Sequence, residues 1–168
     1  MITLTVLTEN YKKNINNLLD LLRNKVAVFD FDGTLTALQY TPDRILPCKD
    51  AELHEYSKKY NIYHNARTLD TMKYIISNLN NENVYILTNT VDTLIDKKNS
   101  CIKCNFPYIA YDHIIHTKSG EEKIQKLREL HTKHHMKIVF VEDTLSNLYL
   151  AEENLWYVQG YHISNLLA

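Results

Sequence analysis

The sequence predicts an α/β fold, a three-layer Rossmann-like arrangement with a mostly parallel central sheet. Three short apolar runs rich in β-branched residues indicate strands buried on both faces, at Lys25–Asp30, Val84–Leu87 and Lys137–Val141. Segments with helical periodicity alternate with these runs, as in parallel sheets whose strands are joined by helices. With 168 residues, of which 45% are hydrophobic and 23% charged, the chain is expected to form one domain over residues 1–168.

The first helix is predicted over Asn10–Arg23, after a short alternating start at Ile2, Leu4 and Val6. Apolar side chains recur there at the spacing of one helical face. Residues 1–24 are therefore expected to form an N-terminal helical extension that leads into the first strand.

Residues 36–66 lack a sustained period and contain two prolines, which predicts a small flap or cap-like insertion. One short helix is expected near Ala51–Lys59. Side chains in and next to this segment are candidates for substrate specificity, namely Tyr40, Asp43, Arg44, His54, Tyr56, Tyr63, His64 and Arg67.

The second half of the chain alternates helices and strands more regularly. Ser119 and Glu122 have the spacing of a capping box and are expected to open a helix. Lys97-Lys98 and Lys58-Lys59 are expected to be surface charges. The remaining predicted elements are helices over Leu69–Leu79, near Val91–Ile95 and over Leu145–Ala151, and weaker strands near His113–Ile115 and Trp156–Val158.

Charge and composition exclude several classes of protein. A net charge of −1 with a pI near 6.7 provides no overall positive field that would attract nucleic acid. Nucleic acid is therefore not supported as a partner, but it is not excluded. The first residues do not resemble a secretion signal, and no apolar run approaches the length of a membrane span. Three cysteines, an odd number, favour reduced thiols and a cytoplasmic location.

Three of the predicted strands end in polar side chains, at Asp30-Phe31-Asp32, Thr88-Asn89 and Glu142-Asp143. Ligands of open α/β sheets bind at the carboxyl ends of the strands, so these groups are expected to converge. Two carboxylates as close as Asp30 and Asp32 repel each other unless they share a cation or a proton. Together the four acids form an all-oxygen cluster suited to Mg²⁺, which often accompanies a bound phosphate.

The residues from Val26 to Thr36, with the pattern Asp30-Phe31-Asp32-Gly33-Thr34, resemble the first motif of the haloacid dehalogenase (HAD) superfamily of phosphohydrolases. Val84–Asn89 resembles the second motif, Lys118 before a helix the third, and Ile138–Asp143 the fourth. The resemblance covers about residues 25–160. Both intervals in which such proteins carry a cap domain are short, which indicates a capless or minimally capped member.

The resemblance implies a role for each of these residues. Asp30 would be the nucleophile that forms an aspartyl-phosphate, and Asp32 the general acid and base. Thr88 and Lys118 would stabilise the transferring phosphoryl group, and Gly33, Thr34 and Asn89 would contribute to substrate binding. The metal ligands would be Asp30, Asp32, Glu142 and Asp143.

Two assignments have explicit alternatives. Lys123 competes with Lys118 as the lysine of the third motif, and Lys118 is preferred because its longer interval to Asp143 suits a helix, a turn and a strand. A second metal site, for zinc, is conceivable at Cys101, Cys104, His113 and His116, but their spacing favours an ordinary connection with reduced thiols.

The function expected from these observations is a Mg²⁺-dependent phosphatase that hydrolyses a phosphomonoester. Its phosphorylated substrate is a small molecule or, given an open site, a macromolecule. Two alternatives stay open, a phosphotransferase or phosphomutase of the same superfamily and a noncatalytic binding module that keeps the fold. Product analysis with competing alcohols distinguishes phosphoryl transfer from hydrolysis. An absence of both Mg²⁺ binding and turnover would favour the noncatalytic module.

Overall fold

The computed structural model of the chain describes residues 3–37, 39–41, 44–45, 57, 61–64 and 66–167. It shows the predicted α/β architecture, with a parallel sheet between two layers of helices. In chain order the helices and strands are α1 (Thr3–Leu22), β1 (Val26–Phe29), β2 (Thr36–Ala37), β3 (Gln39–Thr41), β4 (Arg44–Ile45), β5 (Arg67–Thr68), α2 (Asp70–Ser77), β6 (Val84–Asn89), α3 (Ile95–Asn105), β7 (Ile114–Thr117), α4 (Gly120–His134), β8 (Ile138–Glu142), α5 (Leu145–Asn154) and β9 (Val158–His162).

The central sheet has five strands in the order β7-β6-β1-β8-β9, and every neighbouring pair is parallel. The chain first builds outwards from β1 to β6 and β7, and then returns to add β8 and β9 on the other side of β1. Strand order therefore reverses next to β1. In open α/β sheets the crevice at this reversal, beyond the carboxyl ends of the strands, is where ligands bind.

The two faces of the sheet are covered by different helices because successive side chains of a strand point to opposite faces. Ala27 and Phe29 of β1 pack in a cluster with side chains of α1, α2 and α3. Val26 and Val28 pack in a second cluster with side chains of α4 and α5. All four residues of β1 are buried, as the continuous apolar run predicted.

The N-terminal helix differs in length from its prediction. It begins at Thr3 rather than Asn10, so Leu4 and Val6 of the short alternating start belong to the helix. An alternation over three positions is a weak signal, and extending an existing helix costs less free energy than starting a new element. Leu18 and Leu22 of α1 are buried, and its Tyr11 hydroxyl lies 2.6 Å from Thr71 Oγ1 of α2.

Much of the predicted insertion at residues 36–66, including nearly all of the helix expected near Ala51–Lys59, lies outside the described residues. Two antiparallel ladders are described in and next to the insertion, one between β2 and β5 and one between β3 and β4. The first ladder pairs Thr36 with Thr68 and so joins the two ends of the segment.

Among the helices of the described residues, none combines the length and the apolar character that crossing a bilayer requires.

Candidate functional site

The turn after β1 places the two aspartates at the carboxyl edge of the sheet. The Asp30 amide donates to the carbonyl of Val141, so the residue continues the pairing of β1 with β8. The amides of Leu35 and Thr36 both donate to the carbonyl of Phe31, which closes a tight turn. Asp30 is buried, whereas the side chain of Asp32 is about 29% exposed.

Gly33 is required in this turn for two reasons. Its φ angle of 82° lies in the left-handed region that side chains disfavour. A Cβ atom at this position would also lie 2.1 Å from Oδ2 of Asp143. The backbone therefore approaches the Asp143 carboxylate more closely than any other residue type allows.

A carboxylate cluster forms where β1 and β8 end. One oxygen from each of Asp30, Glu142 and Asp143 lies within 4.8 Å of the others, the spacing that a single metal ion needs. Asp32, expected as a fourth ligand, is not part of this cluster, because its Oδ2 instead contacts a lysine 2.7 Å away. Three carboxylates are a donor set that suits a hard divalent cation such as Mg²⁺.

Lys123, on the first turn of α4, is the lysine in contact with this cluster. Its Nζ lies 2.7 Å from Asp30 Oδ1 and 2.7 Å from Glu142 Oε2, and its side chain is about 2% exposed. Burial alone would lower the pKa of Lys123, but the two carboxylates raise it, so the ammonium stays charged.

Lys118, which the interval in the sequence favoured as the third-motif lysine, does not contact this cluster. Lys118 is mostly exposed and pairs with Asp92 on the surface, with Nζ 3.2 Å from the carboxylate. The length of the interval to Asp143 did not distinguish Lys118 from Lys123, whereas helical periodicity does. Lys123 shares a face with the buried Leu127 and Leu130, so its side chain points towards the sheet.

One lysine does not neutralise the three acids of the cluster, of which Asp30 and Glu142 are buried. Burial, strengthened by Glu142 and Asp32, raises the pKa of Asp30 to about 7 even though Lys123 opposes the shift. Burial also raises the pKa of Glu142 and of Asp143. The folded chain therefore holds carboxylates whose negative charge is only partly compensated, and a bound cation would supply the missing positive charge.

A second buried lysine, Lys98 of α3, was expected at the surface and is instead part of the site. Its side chain is about 1% exposed, and Nζ lies 2.7 Å from Asp32 Oδ2. The same ammonium donates to Thr88 Oγ1 at 3.0 Å and to the Asn89 carbonyl at 2.7 Å. Its spacing of four residues from the buried Leu94 and Ile102 was the signal that could have revealed this position.

The polar end of β6 lies beside these residues, as expected. The Thr88 side chain is buried and accepts the hydrogen bond from Lys98, and Asn89 Oδ1 accepts one from the Thr117 hydroxyl at 2.7 Å. Among the described residues, two buried side-chain oxygens have no hydrogen-bond partner, Asp32 Oδ1 and Thr34 Oγ1. Unpaired buried polar atoms are costly, and both belong to the turn that follows Asp30.

A cavity of about 590 Å³ opens beside Asp32. Tyr63, Asn89, Lys98 and Lys118 are among the residues that line it. Of the specificity candidates, Tyr63 is buried and reaches the cavity, whereas His64 and Arg67 are exposed. The side chains of the other five, Tyr40, Asp43, Arg44, His54 and Tyr56, lie outside the described residues.

The four zinc candidates are not brought together. Cys101 and Cys104 are free thiols on α3. His113 stacks on Tyr85 with ring centroids 4.1 Å apart, and His116 hydrogen-bonds through its two ring nitrogens to Thr90 and Asn99. The group that meets metal-ligand spacing in the described part of the chain is the carboxylate cluster at β1 and β8.

Comparisons with known proteins do not add to this description. No protein-family model matches the chain, and no curated protein matches it.

Proposed function

We propose that this protein is a Mg²⁺-dependent phosphatase that hydrolyses a phosphomonoester through an aspartyl-phosphate on Asp30, as its motifs resemble those of the HAD superfamily. One observation carries the proposal. A buried carboxylate, Asp30, contacts a lysine ammonium and lies within 4.8 Å of two further acids, and a second aspartate follows two residues later beside a cavity. A nucleophilic carboxylate and a separate acid-base group are the two functions that such a hydrolysis requires.

The first step forms a bond between an Asp30 oxygen and phosphorus while the bond from phosphorus to the leaving oxygen breaks. Asp32 gives its proton to that leaving oxygen, and the alcohol departs. In the second step Asp32 takes a proton from water, the water oxygen attacks phosphorus, and the Asp30 carboxylate is released with inorganic phosphate. Each aspartate ends the cycle in its starting state.

The other residues of the site stabilise the negative charge of the phosphoryl group. Lys123 holds Asp30 and Glu142 at 2.7 Å and offsets the negative charge that gathers when a phosphoryl group approaches. Asp30, Glu142 and Asp143 would hold Mg²⁺, which supplies additional positive charge for the phosphoryl oxygens. The Thr88 hydroxyl and the Thr34 hydroxyl, which is buried and has no partner in the described part of the chain, are donors for those oxygens.

The substrate is a phosphorylated molecule whose alcohol portion occupies the cavity beside Asp32. A volume of about 590 Å³ lies within the range of pockets that hold small molecules. Free thiols at Cys101 and Cys104 support the cytoplasmic location proposed for the protein.

A phosphate-release screen tests the proposal. Sugar phosphates, nucleotides, phosphopeptides and phosphorylated oligonucleotides are incubated with the protein in Mg²⁺ and in EDTA. Release that requires Mg²⁺ and is lost in Asp30→Asn, while Asp20→Asn at the surface of α1 retains it, supports the proposal. Full turnover in Asp30→Asn would overturn it.

The same screen separates the alternative functions. Addition of glycerol or ethanol diverts phosphate to a new ester if the protein is a phosphotransferase, and leaves inorganic phosphate as the product if it is a hydrolase. If the wild-type protein neither binds Mg²⁺ nor releases phosphate from any substrate, the result favours a noncatalytic module.

A further inference from the structure

The two oxygens of the Asp32 carboxylate have different surroundings. Oδ2 receives the Lys98 ammonium at 2.7 Å and the Tyr63 hydroxyl at 3.3 Å. Oδ1 is buried and has no hydrogen-bond partner among the described residues. The carboxylate is therefore held by one oxygen, and the other is left for a further group.

Packing in the core holds the Lys98 side chain in contact with Asp32. Its stem shares a helical face with the buried Leu94 and Ile102, and its ammonium is almost fully enclosed. Among the described residues, the hydrogen-bond partners of the ammonium are Asp32, Thr88 and Asn89, at 2.7–3.0 Å. A surface lysine in an ion pair is only weakly held in place, whereas burial and these three contacts fix the position of the Lys98 ammonium.

Tyr63 is the second residue that contacts this oxygen, through its hydroxyl at 3.3 Å. Its ring lies 5.6 Å from the Lys98 ammonium. Burial, together with the Asp32 charge, raises the pKa of Tyr63, so its hydroxyl keeps its proton and donates to Asp32.

We propose that Lys98 and Tyr63 are positioning residues that determine which oxygen of Asp32 transfers the proton, an inference that rests on the proposed function. A carboxyl group whose Oδ2 accepts two hydrogen bonds carries its proton on Oδ1. Oδ1 has no competing partner and gives that proton to the oxygen of the departing alcohol. In the second step Oδ1 takes the proton of the attacking water. Lys98 and Tyr63 neither give nor take a proton in either step.

The test compares two substrates that depend differently on proton transfer. An alkyl phosphate releases a strongly basic alkoxide and needs a proton from Asp32, whereas 2,4-dinitrophenyl phosphate releases a weakly basic phenolate and does not. A general acid contributes about 10²–10⁴-fold, so we expect Lys98→Met to lower kcat/KM for the alkyl phosphate by about 100-fold; kcat/KM is compared because it reports the phosphorylation of Asp30 and not the later step that both substrates share. For 2,4-dinitrophenyl phosphate the loss is expected to be about tenfold smaller.

Tyr63→Phe keeps the ring and removes only the hydroxyl, so it tests the inference even if Lys98→Met fails to fold. We expect this variant also to lose activity selectively on the alkyl phosphate, and the decrease should be smaller because Lys98 still contacts Asp32 Oδ2. Two matched controls lie away from Asp32. Lys97→Met changes the neighbouring lysine of α3, and Tyr11→Phe removes a hydroxyl that contacts Thr71. Neither is expected to change the ratio of the two rates.

Each result has a distinct meaning. A selective loss in Lys98→Met or Tyr63→Phe, with a melting temperature that shows a folded protein, supports the inference. If the wild type hydrolyses both substrates and Tyr63→Phe and folded Lys98→Met reduce the two kcat/KM values equally or not at all, the inference is overturned and the phosphatase proposal stands. If the wild type hydrolyses no phosphoester, both are overturned.

Discussion

Lys123 Nζ lies 2.7 Å from Asp30 Oδ1, joining the first turn of α4 to the end of β1 across 93 positions of the chain. The same ammonium lies 2.7 Å from Glu142 Oε2 at the end of β8. One side chain from a helix thus connects the two central strands of the site. Because both acids are buried, this contact affects the stability of the fold as well as its chemistry.

Lys123→Met is expected to destabilise the protein and to abolish phosphate release. Removing one partner of a buried ion pair leaves the other charges uncompensated, at a cost of about 3–5 kcal/mol in the free energy of unfolding. Denaturant unfolding measures this change. Lys118→Met, which loses only a surface contact with Asp92, is expected to change the same free energy by less than about 0.5 kcal/mol. Equal effects of the two substitutions would contradict the assignment of Lys123.

Gly33→Ala is expected to disturb the turn that carries the aspartates. The new Cβ would meet the Asp143 carboxylate at 2.1 Å and would be held at a positive φ angle. A strained residue of this kind costs about 1–3 kcal/mol, and displacement of Asp143 is expected to weaken Mg²⁺ binding as well. Calorimetric titration with Mg²⁺ and thermal melting measure the two effects.

Gly120→Ala is the matched control for the turn. Gly120 begins α4 without a positive φ angle, and its Cβ would meet Asn147 Oδ1 at 3.0 Å, so this side chain must shift by a few tenths of an ångström. Because the Asn147 amide group donates to Glu142 Oε2 at 3.2 Å, this variant is expected to lose a little Mg²⁺ affinity, but much less than Gly33→Ala. A Gly33→Ala protein that binds Mg²⁺ as tightly as Gly120→Ala would show that the close approach to Asp143 has no role.

The stability of the metal-free protein is expected to fall as pH rises from about 4 to about 7. The pKa of Asp30 is raised to about 7 by burial, whereas an unfolded aspartate ionises near 4. Between these values the folded state binds more protons than the unfolded state, so the free energy of unfolding decreases with pH. Thermal melts in EDTA across this range measure the slope, which Asp30→Asn should flatten.

Mg²⁺ is expected to reverse this trend because it binds the ionised carboxylates. The increase in melting temperature on adding Mg²⁺ should be small near pH 5 and larger near pH 8, where Asp30 is ionised without the ion as well. An increase that is equal at the two pH values would contradict binding at this cluster. Ca²⁺ in place of Mg²⁺ tests whether the effect is specific to the smaller ion.

Thr88→Val, which replaces a hydroxyl by a methyl group of the same shape, is expected to lower kcat. Loss of one donor to a developing phosphoryl charge costs about 10²–10³-fold in rate. Thr88→Ser keeps the hydroxyl and should recover most of the activity. Equal rates in the two variants would show that the hydroxyl, which accepts a hydrogen bond from Lys98, does not contact the phosphoryl group.

The layered fold and the position of the acids could be predicted because they depend on local patterns. Continuous apolar runs predicted the three central strands, and each run ends where polar residues begin, so Asp30 and Glu142 had to lie at one edge of the sheet. The helix start predicted at Ser119 and Glu122 is confirmed, with the Glu122 amide donating to Ser119 Oγ, although the Glu122 carboxylate accepts from the amide of Lys118 and not from that of Ser119. These features follow from burial and hydrogen bonding within a few residues.

The lysines show what the sequence alone did not decide. A lysine is ordinarily solvated, so Lys98 was expected at the surface, and Lys118 was preferred to Lys123 from an interval in the chain. Which ammonium is buried depends on the rotation of α3 and α4 against the sheet and on carboxylates 66 and 93 positions away. Local pattern determined the order of strands, helices and acidic ends, and only tertiary packing, which sets distances between remote charges, assigned a lysine to each aspartate.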